Sequence, residues 1–273
     1  MGNSEQISHY TTLHGFRSII ESEVIWATNV MYLNDSKEYF HAFDVFRVAL
    51  ERFSQQPDLD NEDGRYFLSE CKSCIDGIDE IGAEQHFILS LSENLDQWSQ
   101  WRAYGSIGIV FNVDRLRESF FEKSAPVSEF DYCKYNEASL DEEIYTKLLK
   151  LYDAFSLEKL KKGKGCIHSL IVDFQLYLYD VAAFYKHGGF HEECEVRVSC
   201  FSEKRQDLKF RSTDSYLVPY IEVPFDLKSI DSIMIGPCVD PARTEKSIKM
   251  FLDQKFSGRP PAVLKSKSPY RNW

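Results

Sequence analysis

Apolar residues in this chain switch between the two-residue repeat of strands and the 3.6-residue repeat of helices, and the two never settle into regular alternation. Interspersed, irregular elements favour an α+β fold over a doubly wound parallel sheet. The spacing predicts strands over His9–Thr12, Val24–Thr28, His86–Leu91, Ile107–Asn112, Glu195–Phe201, Tyr220–Val223, Ile230–Ile235 and Ala262–Ser266. Between them it predicts a short helix with Phe16, Ile19 and Ile20 on one face, and longer helices over Lys37–Phe53, Tyr66–Ile78, Leu140–Lys162, Ile167–Tyr185 and Arg243–Phe256. Phe40, Phe43, Phe46, Val48 and Leu50 form the apolar side of the second helix; Ile144, Leu148, Leu151 and Phe155 line the Leu140–Lys162 helix. Gln97–Tyr104 is a short aromatic helix that Gly105 ends.

With 273 residues, 43% apolar and 27% charged, the chain can bury a substantial core in one domain. The expectation is a single domain over 1–273 with a helical insertion at about 115–185, the acidic turn-rich stretch 54–66 being a loop. Twenty Phe, 15 Tyr and 4 Trp leave rings over for stacking in a cleft. A net charge of −11 argues against broad phosphate-neutralising binding. Two local basic clusters, Lys159/Lys161/Lys162/Lys164 and Arg259/Lys265/Lys267/Arg271, read as solvated surface. No run nears the roughly 20 apolar residues of a membrane span. The first residues are too polar for a signal peptide, and Gln6 stands where a myristoylation site wants Ser or Thr. A cytoplasmic protein with seven reduced cysteines is expected.

Several chemistries lack their motif. There is no GxGxxG after a strand, no GxxxxGK[ST] and no GxSxG elbow. Cys71-x-x-Cys74 with His187, His191 and Cys194 lacks a second tight ligand pair, so no metal is expected. Glu93, Asp35 and Glu195 are not spaced as a metal-dependent phosphoryl-transfer set.

Three stretches gather polar chemistry. Ser8–Glu38 concentrates His9, Tyr10, Tyr32, Trp26, Asn34 and Asp35 around few apolar residues, which suits a pocket for a flat, sugar-bearing ligand. Asn34-Asp35 could reach that ligand or cap a helix near Ser36. Ser90 and Ser92 share a strand face beside Glu93, and Trp98, Trp101 and Tyr104 follow at helical spacing, Trp101 toward the core and Trp98 or Tyr104 over a pocket. In Glu193–Val198 alternation places Glu193, Glu195 and Arg197 on one face and Cys194, Val196 and Val198 on the core face; an exposed Glu–Arg pair is the plainer reading.

Taken in order, HYTT, LND, SLSE with QWRAYG, FYKHGGF with ExExR, and IGP resemble the DUF2971 family, a group associated with ADP-ribosyltransferase-like folds. The resemblance implies a split β-sandwich of ADP-ribosyltransferase type, with helical insertions, whose cleft takes NAD as substrate. It implies that His9, with Tyr10 and Thr11, contacts the adenosine side, that Ser90 and Ser92 form a Ser-x-Ser element, and that Glu193 and Glu195 supply the carboxylates. Within that resemblance Glu195 stabilises the ribose cation, Glu193 orients the acceptor, Arg197 steadies the carboxylates or a phosphate, and Tyr10, Tyr32 or Trp98 stacks on nicotinamide. The implied activity is ADP-ribose transfer to a protein or nucleic acid, or NAD hydrolysis, in a toxin or phage-defence setting with a neutralising partner. The alternative is an inactive nucleotide- or nucleic-acid-binding module of the same fold.

Overall fold

The computed structural model describes residues 5–33, 36–81, 83–202 and 204–268; Asn34, Asp35 and Arg271 lie outside them. The protein is mixed α/β and divides into two compact units: Met1–Ala27, Ile88–Tyr132 and Glu192–Trp273 form one, Thr28–Phe87 and Cys133–His191 the other.

In chain order the elements are β1 (Gln6–Thr11), α1 (Leu13–Ser22), β2 (Val24–Asn29), α2 (Ser36–Ser54), α3 (Glu62–Ile81) and β3 (His86–Ser92). Then come α4 (Trp98–Tyr104), β4 (Ile107–Asn112), α5 (Val113–Glu122), β5 (Val127–Tyr132), α6 (Glu137–Lys162) and α7 (Ile167–Phe184). The chain finishes with β6 (Glu195–Phe201), β7 (Lys209–Ser212), β8 (Leu217–Pro224), β9 (Ile230–Ile235), α8 (Pro241–Lys255) and β10 (Ala262–Lys265).

The first unit is built on an open mixed sheet in the order β10-β9-β4-β1-β3-β2-β8-β7, with β6 paired to β3 and β5 to β6. β10 and β9 run parallel, while β1–β4, β4–β9, β5–β6 and β7–β8 are antiparallel. Helix starts follow from local side chains: Thr12 caps α1 by accepting from Gly15 N at 3.0 Å, and Asn112 caps α5 from Arg115 N at 2.9 Å. Asp240 with Pro241 behind it starts α8 in the same way. Phe16 of α1 meets Phe251 of α8 edge-on at 5.8 Å, so the predicted apolar face of α1 is buried as expected.

The indole of Trp101 sits where side chains are missing. A Cβ on Gly236 would lie 2.6 Å from its ring and one on Gly108 3.1 Å away. Gly105, which ends α4, combines φ +126° with a Cβ position 2.6 Å from the Thr11 carbonyl oxygen. Gly105→Ala should therefore cost about 2–3 kcal/mol, from backbone strain plus a clash that only movement of β1 relieves. Urea unfolding checks this; an unchanged midpoint would mean the turn can be rebuilt without cost.

The second unit packs α2, α3, α6 and α7 around aromatic side chains. Phe53 and Phe67 lie 6.2 Å apart and Phe67 and Phe155 5.8 Å apart, all three fully buried. The α2 stripe is Phe43, Phe46, Leu50 and Phe53; Val48 falls off that spacing and is 59% exposed, correcting its assignment to the apolar side. Arg52 bridges α2 to Asp141 and Glu142 of α6 and lies 4.1 Å over the Tyr145 ring. Lys159 pairs with Asp63, Lys162 with Glu158 at 3.0 Å, and Lys164 with Glu62 at 2.7 Å. This basic cluster is thus met largely by carboxylates. Among the described residues, no helix is long and apolar enough to cross a membrane.

Candidate functional site

β1 is unevenly held. All six of its residues are registered with β4, from Gln6 opposite Asn112 to Thr11 opposite Ile107. Toward β3 the ladder among the described residues is a single pair, Ser8 opposite Ser92. Beyond that pair the half-buried His9 ring lies against β3, its Nδ1 3.2 Å from the Ser90 carbonyl oxygen. Ser90 is the exposed position of β3. Thr11, two residues beyond His9 and so on the same pleat face, is half-buried.

Burial holds the His9 imidazolium below its ordinary value of 6.5, and the Ser90 carbonyl acts in the opposite sense. Once the pH falls below that ordinary value, the unfolded chain binds more protons than the folded one, so stability drops as the pH falls. His9→Gln should remove this component. The stability lost between about pH 7.5 and about pH 5, from urea midpoints, should be smaller in the variant. Equal losses would show that folding leaves His9 as easily protonated as before.

Tyr10 and Ser92 do different work from that expected of them. Tyr10 is 6% exposed; its ring meets Trp101 edge-on at 4.5 Å, and its hydroxyl donates to the Asn94 carbonyl and accepts from Gln97 N at 3.1 Å. Burial pushes that phenol up to about 12. It is a pillar under the 93–97 loop, not a ring open for stacking. Asp96 completes the pillar by accepting from Trp101 Nε1 and Lys267 N, each at 2.8 Å, and from the Ser266 hydroxyl. Burial opposes its ionisation, yet these donors hold its carboxyl below the usual range. Ser92 Oγ donates to the Glu193 carbonyl at 2.7 Å and accepts from Asn94 N at 3.0 Å. With Glu93 N bonded to the Cys194 carbonyl at 3.0 Å, it stitches the end of β3 to the start of β6.

The carboxylates separate. Glu193 ends a 3-10 helix, Gly188–Glu193, and Cys194 at φ +41° turns the backbone before β6 begins at Glu195. Strand alternation therefore does not carry back to Glu193, and the expected Glu193–Glu195–Arg197 face is corrected to Glu195 and Arg197 alone. Nor is that face exposed. Glu195 is 6% and Arg197 3% accessible, while Val196 and Val198 are buried on the other side. The guanidinium grips the carboxylate with both arms, Nε to Oε1 at 2.9 Å and Nη2 to Oε2 at 3.1 Å. β5 covers one edge of this strand, with Asp131 opposite Arg197 and Phe130 opposite Val198.

Trp98 is 39% exposed, with the Arg102 guanidinium 5.6 Å over its ring. Tyr32 is 37% exposed on a 3-10 turn of the second unit, a turn capped by Asn29. Cys71 and Cys74 are buried on α3; burial pushes Cys74 up to about 12 and Cys71 well above its ordinary value. Among the described residues no group of three or more His, Cys, Asp or Glu is placed to hold a metal ion. Sequence reading missed a buried polar knot in the second unit. Tyr39 Oη meets His86 Nδ1 at 3.0 Å, and Asn29 Nδ2 donates to the carbonyls of Ala83, Glu84 and His86. Asn29 and His86 stand at strand ends, where polar residues pass for turn formers.

The fold and these residues define an α/β protein with an open mixed sheet, a half-buried histidine beside the short β1–β3 ladder and a buried glutamate–arginine fork. Residues 100–198 match the family model of DUF2971, described as a protein of unknown function. That segment holds the QWRAYG, FYKHGGF and ExExR stretches. No curated protein and no solved structure matches the chain.

Proposed function

We propose that this chain is an NAD-consuming enzyme of ADP-ribosyltransferase type, transferring ADP-ribose to a macromolecule or hydrolysing NAD. The supporting observation is the one-pair ladder between β1 and β3, Ser8–Ser92, with His9 and the exposed Ser90 just beyond it. A split sheet admits a bent dinucleotide without a glycine-rich phosphate loop. In this reading His9 and Thr11 meet the adenosine side, Ser90 the ribose or phosphate, and Trp98 the nicotinamide ring. Cleaving the nicotinamide–ribose bond builds positive charge on the sugar, and the Glu195 carboxylate stabilises it where it develops. Arg197 aims that carboxylate, and Glu193, at the end of the 3-10 turn before β6, orients the acceptor. A toxin or antiviral-defence role with a neutralising partner belongs to the same proposal.

The Glu195–Arg197 fork also favours a second reading, a nucleotide-binding module without turnover, because both carboxylate oxygens already accept from the guanidinium. Incubation with NAD separates the two. Nicotinamide release that falls in Glu195→Gln and His9→Ala supports the enzyme, and saturable NAD binding without release supports the module. Neither binding nor release sinks both.

A further inference from the structure

A cavity of about 330 Å³ opens in the first unit between α5 and β5, lined by Arg117, Phe120, Phe121, Ser124, Ala125, Val127 and Phe130. Phe120 and Phe130 are 4% and 6% exposed and meet at 6.1 Å; Phe121, by contrast, stands at 88% exposure. The volume sits at the small end of ligand pockets, which run roughly 300–1,000 Å³.

One wall carries charge. Arg117 Nη2 donates to the Phe130 carbonyl at 3.2 Å, and its guanidinium carbon lies 5.0 Å from the Phe130 ring centroid. Among the described residues no carboxylate lies within ion-pair distance of it. These contacts orient the guanidinium along the apolar wall and leave its other N–H groups for an oxygen arriving from solvent. A neighbouring guanidinium, Arg115, shows the contrast: it is occupied by Asp231 and by the Lys228 carbonyl.

We propose that this cavity binds a small amphipathic monoanion, its apolar body between Phe120, Val127 and Phe130 and its carboxylate on Arg117. An uncharged body of the same shape would leave the guanidinium unused. A dianion would bring a second charge toward phenylalanine rings, at a desolvation cost. The site lies away from the glutamate–arginine fork. Phe130 is registered opposite Val198 on β6, and Glu195 and Arg197 project from the other face of that strand. It is therefore a ligand site separate from the proposed NAD cleft, and its test does not depend on NAD turnover.

Octanoate and 1-octanol are the probes, titrated by calorimetry into the full-length protein. Octanoate should bind saturably at one site. Arg117→Gln should weaken octanoate about tenfold or more, a difference in free energy of roughly 1.4 kcal/mol, while leaving octanol within about twofold. Ala125→Phe should fill the cavity and abolish both. Val127→Trp serves as a second filling variant if Ala125→Phe fails to give the wild-type circular dichroism spectrum. Absence of saturable octanoate binding overturns the proposal, as does octanoate binding that survives either filling variant. An Arg117→Gln titration unchanged from wild type would equally overturn the carboxylate assignment.

Discussion

Arg197→Leu should lower the stability of the protein by about 3–5 kcal/mol, because it removes the two-armed charged partner from the buried Glu195. Both side chains are almost inaccessible, at 4% for the arginine and 7% for the glutamate. Water therefore cannot replace the two bonds at 2.9 and 3.1 Å that the fork supplies. At about 2–4 °C per kcal/mol for a chain of 150–250 residues, a fall in Tm on the order of 10 °C is expected. Removing both charges in Glu195→Leu/Arg197→Met should recover most of the loss, since apolar side chains of similar volume replace buried ion pairs at little net cost. A single-variant loss below about 1 kcal/mol would place the pair among solvent-screened bridges and refute its burial.

The strands legible in the sequence were those with unbroken apolar faces. Ile107–Asn112, Glu195–Phe201 and Ile230–Ile235 have the limits the residue pattern predicts, because β-branched residues on a buried ladder leave little choice. β5 escaped notice. Its Val-Ser-Glu-Phe-Asp-Tyr has one buried residue, Phe130, and it is a strand because β6 offers it an edge. β7, exposed at all four positions, is held in the same way by β8. Local composition says nothing of an edge that arrives from elsewhere in the chain.

The candidate site was legible by residue type and less so by role. His9 lies against the Ser90 carbonyl, and Glu195 and Arg197 form a buried fork on β6. Tyr10 and Ser92 looked the same on paper, yet their hydroxyls brace a loop through Asn94, Gln97 and Glu193. Those partners lie more than 80 residues away, so no spacing rule could reveal them. Glu193 was misplaced by one backbone angle, the positive φ of Cys194, which an alternation pattern assumes away. Polar density in the opening block thus included the scaffold that props the 93–97 loop.

Glu195→Gln should reduce kcat for nicotinamide release by about 10²–10³-fold while leaving KM for NAD close to wild type. Glutamine keeps one oxygen for Arg197 and nearly the same volume, but its amide faces the second guanidinium arm, so some loss of stability accompanies the loss of the negative charge that meets the ribose cation. His9→Ala should act the other way, raising KM with a smaller effect on kcat, because its assigned contact is to the adenosine side and does not change as the bond breaks. Loss of folding would lower the amount of active protein and leave KM alone in both, so the opposite pattern in the two variants separates chemistry from stability. The fork sharpens the test. If Arg197 only stabilises the strand, Arg197→Lys should melt well below wild type with kcat per folded molecule unchanged. If it aims the carboxylate, the lysine variant should retain measurable release with reduced kcat, since a single ammonium keeps the charge while losing the two-armed grip. Wild-type protein that binds NAD saturably but releases no nicotinamide would assign the fork to the scaffold and the β1–β3 edge to nucleotide recognition alone.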